Sequence, residues 1–471
     1  MTRPALILCL LLPFLLAADN VTAGKRYYLT VSGVRYTVET THKLSDGTWQ
    51  VQYINVQPTT QRRVTTAVLQ EITPVPPPAC DNDGVCDVGE TPTNCPNDCT
   101  VTTQPVPIPA DRPPYIPLPA WDPATIPAGA ILKTTYNGII GDVGTATAPY
   151  FYKLGTATAP FTGKIEVGPS ARYIILQAIQ DRGLQSSAFD IAKGAQFIVV
   201  RDSDIQDGQT ALSTAGTDVV IRNCRIHDNG NWQPTAPGDR DYLGIAGYGG
   251  HRLHVYGCEI FHCESDGIQI NNGGFRASAT APLNDAGIRQ TFIYNNYIHH
   301  NKQSAVGTKG CYDMVIARNK FEGHHVSTSG SGPGQINQYG GVGIWNVENE
   351  CIDNDRSFGV VGVSYGPETS GYDLIYYRNK TTSLTGPYRF DVPGSDPAYA
   401  FGIDVAAWGN GMALVENSFI RGIGYDGGRK CGGLNNHFVE SLVWNETTPL
   451  TAAEWTALRN QYQATFGKEL P

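Results

Sequence analysis

The chain has 471 residues, a formal net charge of -9 and 41% hydrophobic residues. The negative balance argues against nucleic acid as a partner, while a locally positive groove for an anionic polysaccharide stays compatible with it. With 52 Gly, 31 Pro, 24 Tyr and only 3 Met, the composition favours strands and turns over helices.

Residues 1–18 read as a secretory signal. Arg3 supplies the charged start, Ala5 to Leu16 an apolar run, and Leu16-Ala17-Ala18 small residues for cleavage. The run is short for a bilayer span, and no later stretch is long enough. The expectation is a soluble, secreted monomer without a membrane span. Of the 11 cysteines, loss of Cys9 with the signal leaves an even number, which suits disulfides in an oxidising compartment.

Residues 19–72 alternate apolar and polar positions in three runs, starting at Arg26, Val34 and Trp49, with a Lys43 to Gly47 turn. That predicts a small antiparallel β unit. In residues 73–100, Cys80, Cys86, Cys95 and Cys99 crowd a segment too short for a core. Asp81, Asp83, Asp87 and Glu90 lie among them, and hard oxygen donors at alternate positions beside Gly84 suit calcium. A solvated acidic knot stapled by disulfides is the alternative. The segment resembles short Cys-rich repeats of secreted bacterial proteins. Residues 101–128 hold nine prolines from Pro105 to Pro127, the composition of a stiff, extended linker.

From 129 to 446 a nine-residue word recurs, as in Arg252 to Ile260, Gln290 to Ile298 and Asp313 to Phe321. Its copies end at Ile179, Ile205, Ile226, Ile260, Ile298, Phe321, Thr381 and Ile420, at intervals of 26, 21, 34, 38, 23, 60 and 39 residues. Such a period with almost no helix signal predicts an all-β solenoid, a single-stranded parallel β-helix. Two places before the final apolar residue stand Ser203, Cys224, Cys258, Asn296, Asn319, Asn379 and Ser418. They predict an inward ladder with one residue per coil. Cys224 and Cys258 fall on consecutive coils, as stacked thiols or a disulfide. After 446 the pattern stops, and residues 447–471 read as a helical tail with Thr451 as N-cap, lying over the last coil or on the flank.

A second, shorter strand precedes each word, among them Gly267 to Ile270, Ala305 to Thr308, Val342 to Trp345 and Phe401 to Asp404. Aligning these strands sets Asn271 beside Lys309 and brings Trp345 into the same column. Gln269, Gly307, Gly343 and Asp404 form the neighbouring outward column, and Asp266 starts the strand. A solvent-facing Lys beside Asn and an aromatic suits β-elimination of a uronate. Lys309 would take the C5 proton, Asn271 and Asp266 would assist, and Trp345, Gln269 and Asp404 would hold sugar. A metal ion could neutralise the carboxylate. His300, after the word ending at Ile298, is a candidate acid or base.

Ser304 to Gly323 resembles the right-handed parallel β-helix proteins of the pectate-lyase-like superfamily. Its layout is similar to the Lys-bearing coil of polysaccharide lyase family six, where a strand ending in Lys precedes an N-x-F word. That resemblance implies that Lys309 is the base and an acidic polysaccharide the partner. The family places an Arg on the following coil, where Val342 to Asn346 has none. A non-catalytic carbohydrate-binding or cell-surface β-helix, or a β-helix glycoside hydrolase, remains the alternative.

Overall fold

The computed structural model describes five strands between 26 and 71, then 112–181, 187–232, 240–271, 289–325, 333–354, 356–361, 372–383, 403–406, 411–421, 423–425, 431–440 and 448–471. Residues 1–18, the Cys-rich segment and its acidic residues Asp81, Asp83, Asp87 and Glu90 lie outside the described residues. The chain divides into two units, 1–102 and 103–471. In the first, Arg26–Val31, Val34–Lys43, Trp49–Tyr53, Gln61–Val64 and Leu69–Glu71 form an antiparallel sheet.

The second unit is a parallel β-helix. Each coil contributes one strand to each of three sheets. The first sheet stacks Phe189–Ile191, Leu212–Thr214, Ile245–Gly247 and Ile268–Asn271, then the starts of Val306–Ala317 and Pro333–Val347. The second carries the words: Gln196–Arg201, Thr217–Arg222, Leu253–Tyr256 and Arg289–Tyr294. The third stacks Asp204–Gln206, Arg225–Asn229, Glu259–Cys263, Tyr297–His299 and Lys320–Glu322.

Between the second and third sheets the corner turns on one left-handed residue per coil. Asn223, Asn295, Arg318, Glu348, Arg378, Glu416 and Asn435 all have φ between 50 and 54°. The next residue points inward and builds the ladder. Asn296, Asn319, Asn349, Asn379, Asn417 and Asn436 stack, each Oδ1 accepting the backbone N–H of the ladder residue before it at 2.9–3.1 Å. Two members differ from the sequence reading. Asn417, not Ser418, holds the ladder place, because Ser418 opens the third-sheet strand opposite Lys380. Asn349 belongs to a word the sequence reading passes over, ending at Cys351, which is in register with both Phe321 and Thr381. The 60-residue interval is therefore two coils of 30.

That extra word moves Trp345. Val342 to Trp345 is second-sheet strand, with Trp345 opposite Val315 and Ile375. The first-sheet strand above Lys309 is instead the start of Pro333–Val347, where Gln338 meets Lys309. Gly343 leaves the outward column for the same reason.

The second sheet is covered on both faces. Inward, Ile198, Val200, Ile221, Val255, Ile293, Ile316 and Leu414 fill the coil interior. Outward, Val199, Val220, Tyr294, Val315, Trp345 and Ile375 meet a second apolar layer. Helix α1 (Ala452–Phe466) supplies part of it through Leu458, Tyr462 and Phe466. It starts with a capping box of Thr451 and Glu454 and ends on left-handed Gly467, the residues that satisfy free N–H and C=O groups at helix ends. It lies on the flank of the solenoid.

The proline-rich stretch, read as a stiff, extended linker, shares that flank from residue 112 on. Tyr115 and Ile116 are fully buried in the same layer. Tyr462 donates to the Tyr115 carbonyl at 2.9 Å, and Tyr115 donates to Glu348 at 2.9 Å. Asp122 accepts from fully buried Arg222 at 2.8 Å and from Tyr256. Prolines keep the segment extended, and the aromatic and apolar residues between them give it a face to dock.

Of the two readings for Cys224 and Cys258, stacked thiols is the one the structure has. Cys224, Cys258, Cys263, Cys311 and Cys351 are buried free thiols. Burial pushes Cys263 and Cys311 up to about 12, so they behave as small apolar residues.

A second inward ladder follows the third sheet. Cys263 N–H donates to Asn301 Oδ1 at 2.9 Å, and His324 N–H to Asn354 Oδ1 at 2.9 Å. His324 is fully buried between them. Its Nδ1–H donates to Asn354 at 2.9 Å, and its Nε2 accepts from Asn301 Nδ2 at 3.3 Å. Protonation would set two donors face to face. Burial lowers the pKa of His324 to about 3, and that of fully desolvated His254 also to about 3. Both are held neutral when folded and titrate at an ordinary 6.5 when unfolded. Their stabilisation is therefore whole above about pH 6.5 and is lost as pH falls toward 3, at most about 5 kcal/mol each. Urea melts at pH 7 and 4.5 should show the loss, and His324→Asn, which extends the ladder without a titrating group, should reduce it. An unchanged pH dependence in that variant would clear His324.

Candidate functional site

The outward face of the first sheet is not covered by the apolar layer that closes the second sheet. Its central column runs Asp190, Ser213, Ala246, Gln269, Gly307, Ile336, Gly359 and Asp404. Asp404 thus stands on the column that carries Gln269, four coils further on. Gln269 and Ala246 point outward yet are buried.

The edge column is more open. Asn271 lies beside Lys309 in the sheet register, as the alignment of strands predicts, and both are half-buried. Tyr248 follows directly after Gly247, the partner of Ile270, and so precedes Asn271 in the same column. Its N–H donates to Thr214 O at 2.9 Å, which continues the ladder beyond the strand. Tyr248 is 47% exposed. It escapes sequence analysis because it sits one residue past the alternating strand, and only the register reveals the column.

Beside the two columns lies Asp266, buried at 2% exposure. Its Oδ2 accepts from Gln269 Nε2 at 3.1 Å, and its Oδ1 accepts from Ser304 Oγ. Gly307 makes room for it: a Cβ there would stand 2.4 Å from the Asp266 carboxylate. Burial raises the Asp266 pKa, against the pull of Ser304, Gln269 and the Lys309 charge. The folded state therefore binds the proton more tightly than the unfolded chain. Stability is greatest below the ordinary aspartate value, about 3.9, and declines as pH rises through the window up to the raised folded value. Asp266→Asn, with the Gln269 amide turned over, is expected to raise the melting temperature at pH 7 by roughly 2–4 °C. The gain should vanish near pH 3. A lower melting temperature at pH 7 would contradict the burial argument.

Two expected site residues stand elsewhere. Trp345 is 1% exposed and packs edge-on against Tyr462 of α1 at 5.0 Å, so it offers no platform to a sugar. His300 lies at the corner after the third sheet. Its Nδ1 is 2.9 Å from His299 Nδ1, and its ring is 6.5 Å from His262. Desolvation, then its neighbours His299 and His262, push its pKa down to about 4. It belongs to a histidine group whose centre is Asp228, which accepts from His227 at 2.7 Å and His262 at 3.0 Å. Burial opposes the charge on His227, but bonds to Asp204 and Asp228 outweigh it and raise its pKa. Among the described residues no group of three or more His, Cys, Asp or Glu is arranged to hold a metal ion. None of the described helices is long and apolar enough to cross a membrane.

A family model described as the right handed beta helix region matches residues 182–355. No curated protein matches the sequence. Among solved structures, the catalytic domain of Agl-KA is similar at 12% identity and a TM-score of 0.39, over 64% of this chain and 52% of that one. PfbA, a surface adhesin of Streptococcus pneumoniae, is similar at 12% identity and a TM-score of 0.42, over 66% and 83%. Pectate lyase Pel9A is similar at 12% identity and a TM-score of 0.33, over 69% and 72%. The chain spans about half the length of the Agl-KA domain.

Proposed function

We propose that this is an exported β-helix protein that binds an acidic, uronate-containing polysaccharide on its first sheet and cleaves it by β-elimination. The observation that carries the reading is the column of Asn271 and Lys309 beside the buried Asp266. Export rests on the charged and apolar start of the chain.

Elimination needs a base for the C5 proton and a donor for the charge that builds on the uronate carboxylate. Lys309 Nζ takes the proton. The C5–H electrons form the C4–C5 double bond as the C4–O4 bond breaks, and the leaving oxygen takes a proton from water. The Asn271 amide donates to the carboxylate. A lysine acts as base only when neutral, and an anionic neighbour would hold it charged. Burial moves Asp266 toward its neutral form and so weakens that opposition. Gln269 positions Asp266 through its 3.1 Å bond, and Asp404 extends the sheet face along the polymer's path. The resemblance of the Lys309 coil to polysaccharide lyase family six supports the same role. The coil after it still lacks the family's Arg, since Gln335 to Gln338 takes that place. The charge that Arg would bring must then come from the polymer's counter-ions.

Purified protein incubated with alginate, pectate and glycosaminoglycans should generate the ultraviolet absorbance of an unsaturated uronate on one of them. New reducing ends without that absorbance would replace the lyase by a hydrolase. Binding without either would leave a carbohydrate-binding β-helix.

A further inference from the structure

We infer that Tyr248 carries a sugar ring two coils from Lys309, so that the polysaccharide runs along the helix axis over the edge column of the first sheet. The inference rests on the functional reading above. Tyr248, Asn271 and Lys309 occupy successive coils in one column, and coils stack about 4.8 Å apart. That spacing is close to the length of one sugar residue. A polymer laid along the axis would therefore meet one side chain of this column per residue, an aromatic face first, an amide second and the amine third.

The surroundings make Tyr248 a platform rather than a packing residue. It is 47% exposed, whereas Ala246 and Gln269 in the central column are buried. On the coil before it the column holds only Ala215, as read from the register of Thr214 with Gly247. Tyr248 thus stands beside a small residue on that side. Its backbone is fixed. Gly249 and Gly250 follow, and Gly250 has φ of 79°, with a would-be Cβ 1.8 Å from the Gly216 carbonyl. A residue anchored in this way holds its ring without a large ordering cost when ligand arrives. Aromatic faces bury the apolar C–H face of a sugar ring, and a phenol adds a hydrogen bond at its rim. Burial, then the nearby Asp241 carboxylate, raises the Tyr248 pKa, which keeps the phenol a donor.

The test uses the full-length protein, Tyr248→Ala, Tyr248→Phe and two probes, polygalacturonate and alginate. Affinity electrophoresis in gels holding either polymer reads binding, and turnover of long chains against dimers reads the subsite. The expected result is loss of gel retardation and a KM raised by about tenfold in Tyr248→Ala on long chains. Its kcat should be nearly unchanged, dimers should show little difference, and Tyr248→Phe should stay close to the parent. A parent protein that is retarded without cleaving, with retardation lost in Tyr248→Ala, sinks the lyase but upholds the platform. A parent that cleaves, with Tyr248→Ala indistinguishable at every length, overturns the platform alone. A parent neither retarded nor active on either polymer overturns both.

Discussion

Lys309→Ala should lower the rate of uronate elimination by about 100- to 10,000-fold, the range for a lost general base. The fold should survive. Lys309 is held in its sheet by main-chain register with Asn271 and Gln338, and its half-buried side chain is not part of the core. Lys309→Arg separates chemistry from charge. Arginine keeps the positive charge but stays protonated, so it cannot accept the C5 proton. The expected pattern is that both variants lose turnover, while Lys309→Arg keeps the affinity for polymer that Lys309→Ala loses. Initial rates of ultraviolet absorbance, together with gel retardation, measure the two separately. Cleavage that persists unchanged in Lys309→Ala would remove Lys309 from the mechanism. Activity retained in Lys309→Arg alone would make it an electrostatic clamp.

The two halves of each coil were unequally legible in the sequence. Words are buried on both faces, so their apolar runs are long and their polar ladder residue falls at a fixed place; the solenoid follows from them. The word ending at Cys351 escapes because Asn346 takes an apolar slot opposite Ile316 and Tyr376, and a cysteine replaces the final Ile or Phe. That one omission shifted Trp345 onto the wrong sheet. The early first-sheet strands are three or four residues long. The pairing of Asn271 with Lys309 could be read because Ile268 and Val306 anchor the same register. Tyr248 could not, since it lies beyond the alternating run. The burial of Asp266 depends on Gly307 and on Ser304 from the next coil, contacts that no local pattern encodes. The docking of Tyr115 and Ile116 was hidden by prolines, whose stiffness says how a segment runs and nothing about what it touches.

Asn349→Ala is expected to be the most damaging single change away from the site, costing about 3–5 kcal/mol against the ~1 kcal/mol typical of point mutants. The Asn349 side chain makes four bonds. Its Oδ1 accepts from the Asn319 backbone N–H at 3.1 Å and from Asn319 Nδ2 at 3.0 Å; its Nδ2 donates to Ile316 O at 2.8 Å and Asn379 Oδ1 at 3.0 Å. Alanine satisfies none of them, and the site is fully enclosed, with Asn349 at 1% exposure. The Asn319 N–H is left as a buried donor, and an orphaned buried donor costs its full desolvation. Asn319 Nδ2 and Asn379 Oδ1 keep their other partners, Ile293 O and Asn349 N–H, which is why the cost stays below the sum of four bonds. Asn349→Ser should recover part of the loss, because Ser203 makes the same backbone contact at the start of the ladder, accepting from Ala178 N–H at 3.0 Å. Ser418→Ala, next to ladder residue Asn417 but on the third-sheet strand, is the control and should change stability by no more than ~0.5 kcal/mol. In a solenoid each coil is stabilised by its neighbours, so the Asn349→Ala loss should appear first as a lower-melting transition of the coils around it. Urea melts followed by circular dichroism and by hydrogen exchange at Asn319 distinguish these outcomes. A cost under about 1 kcal/mol would mean that the asparagines stack because the coils do, and that apolar packing of the words alone sets the stability of the helix.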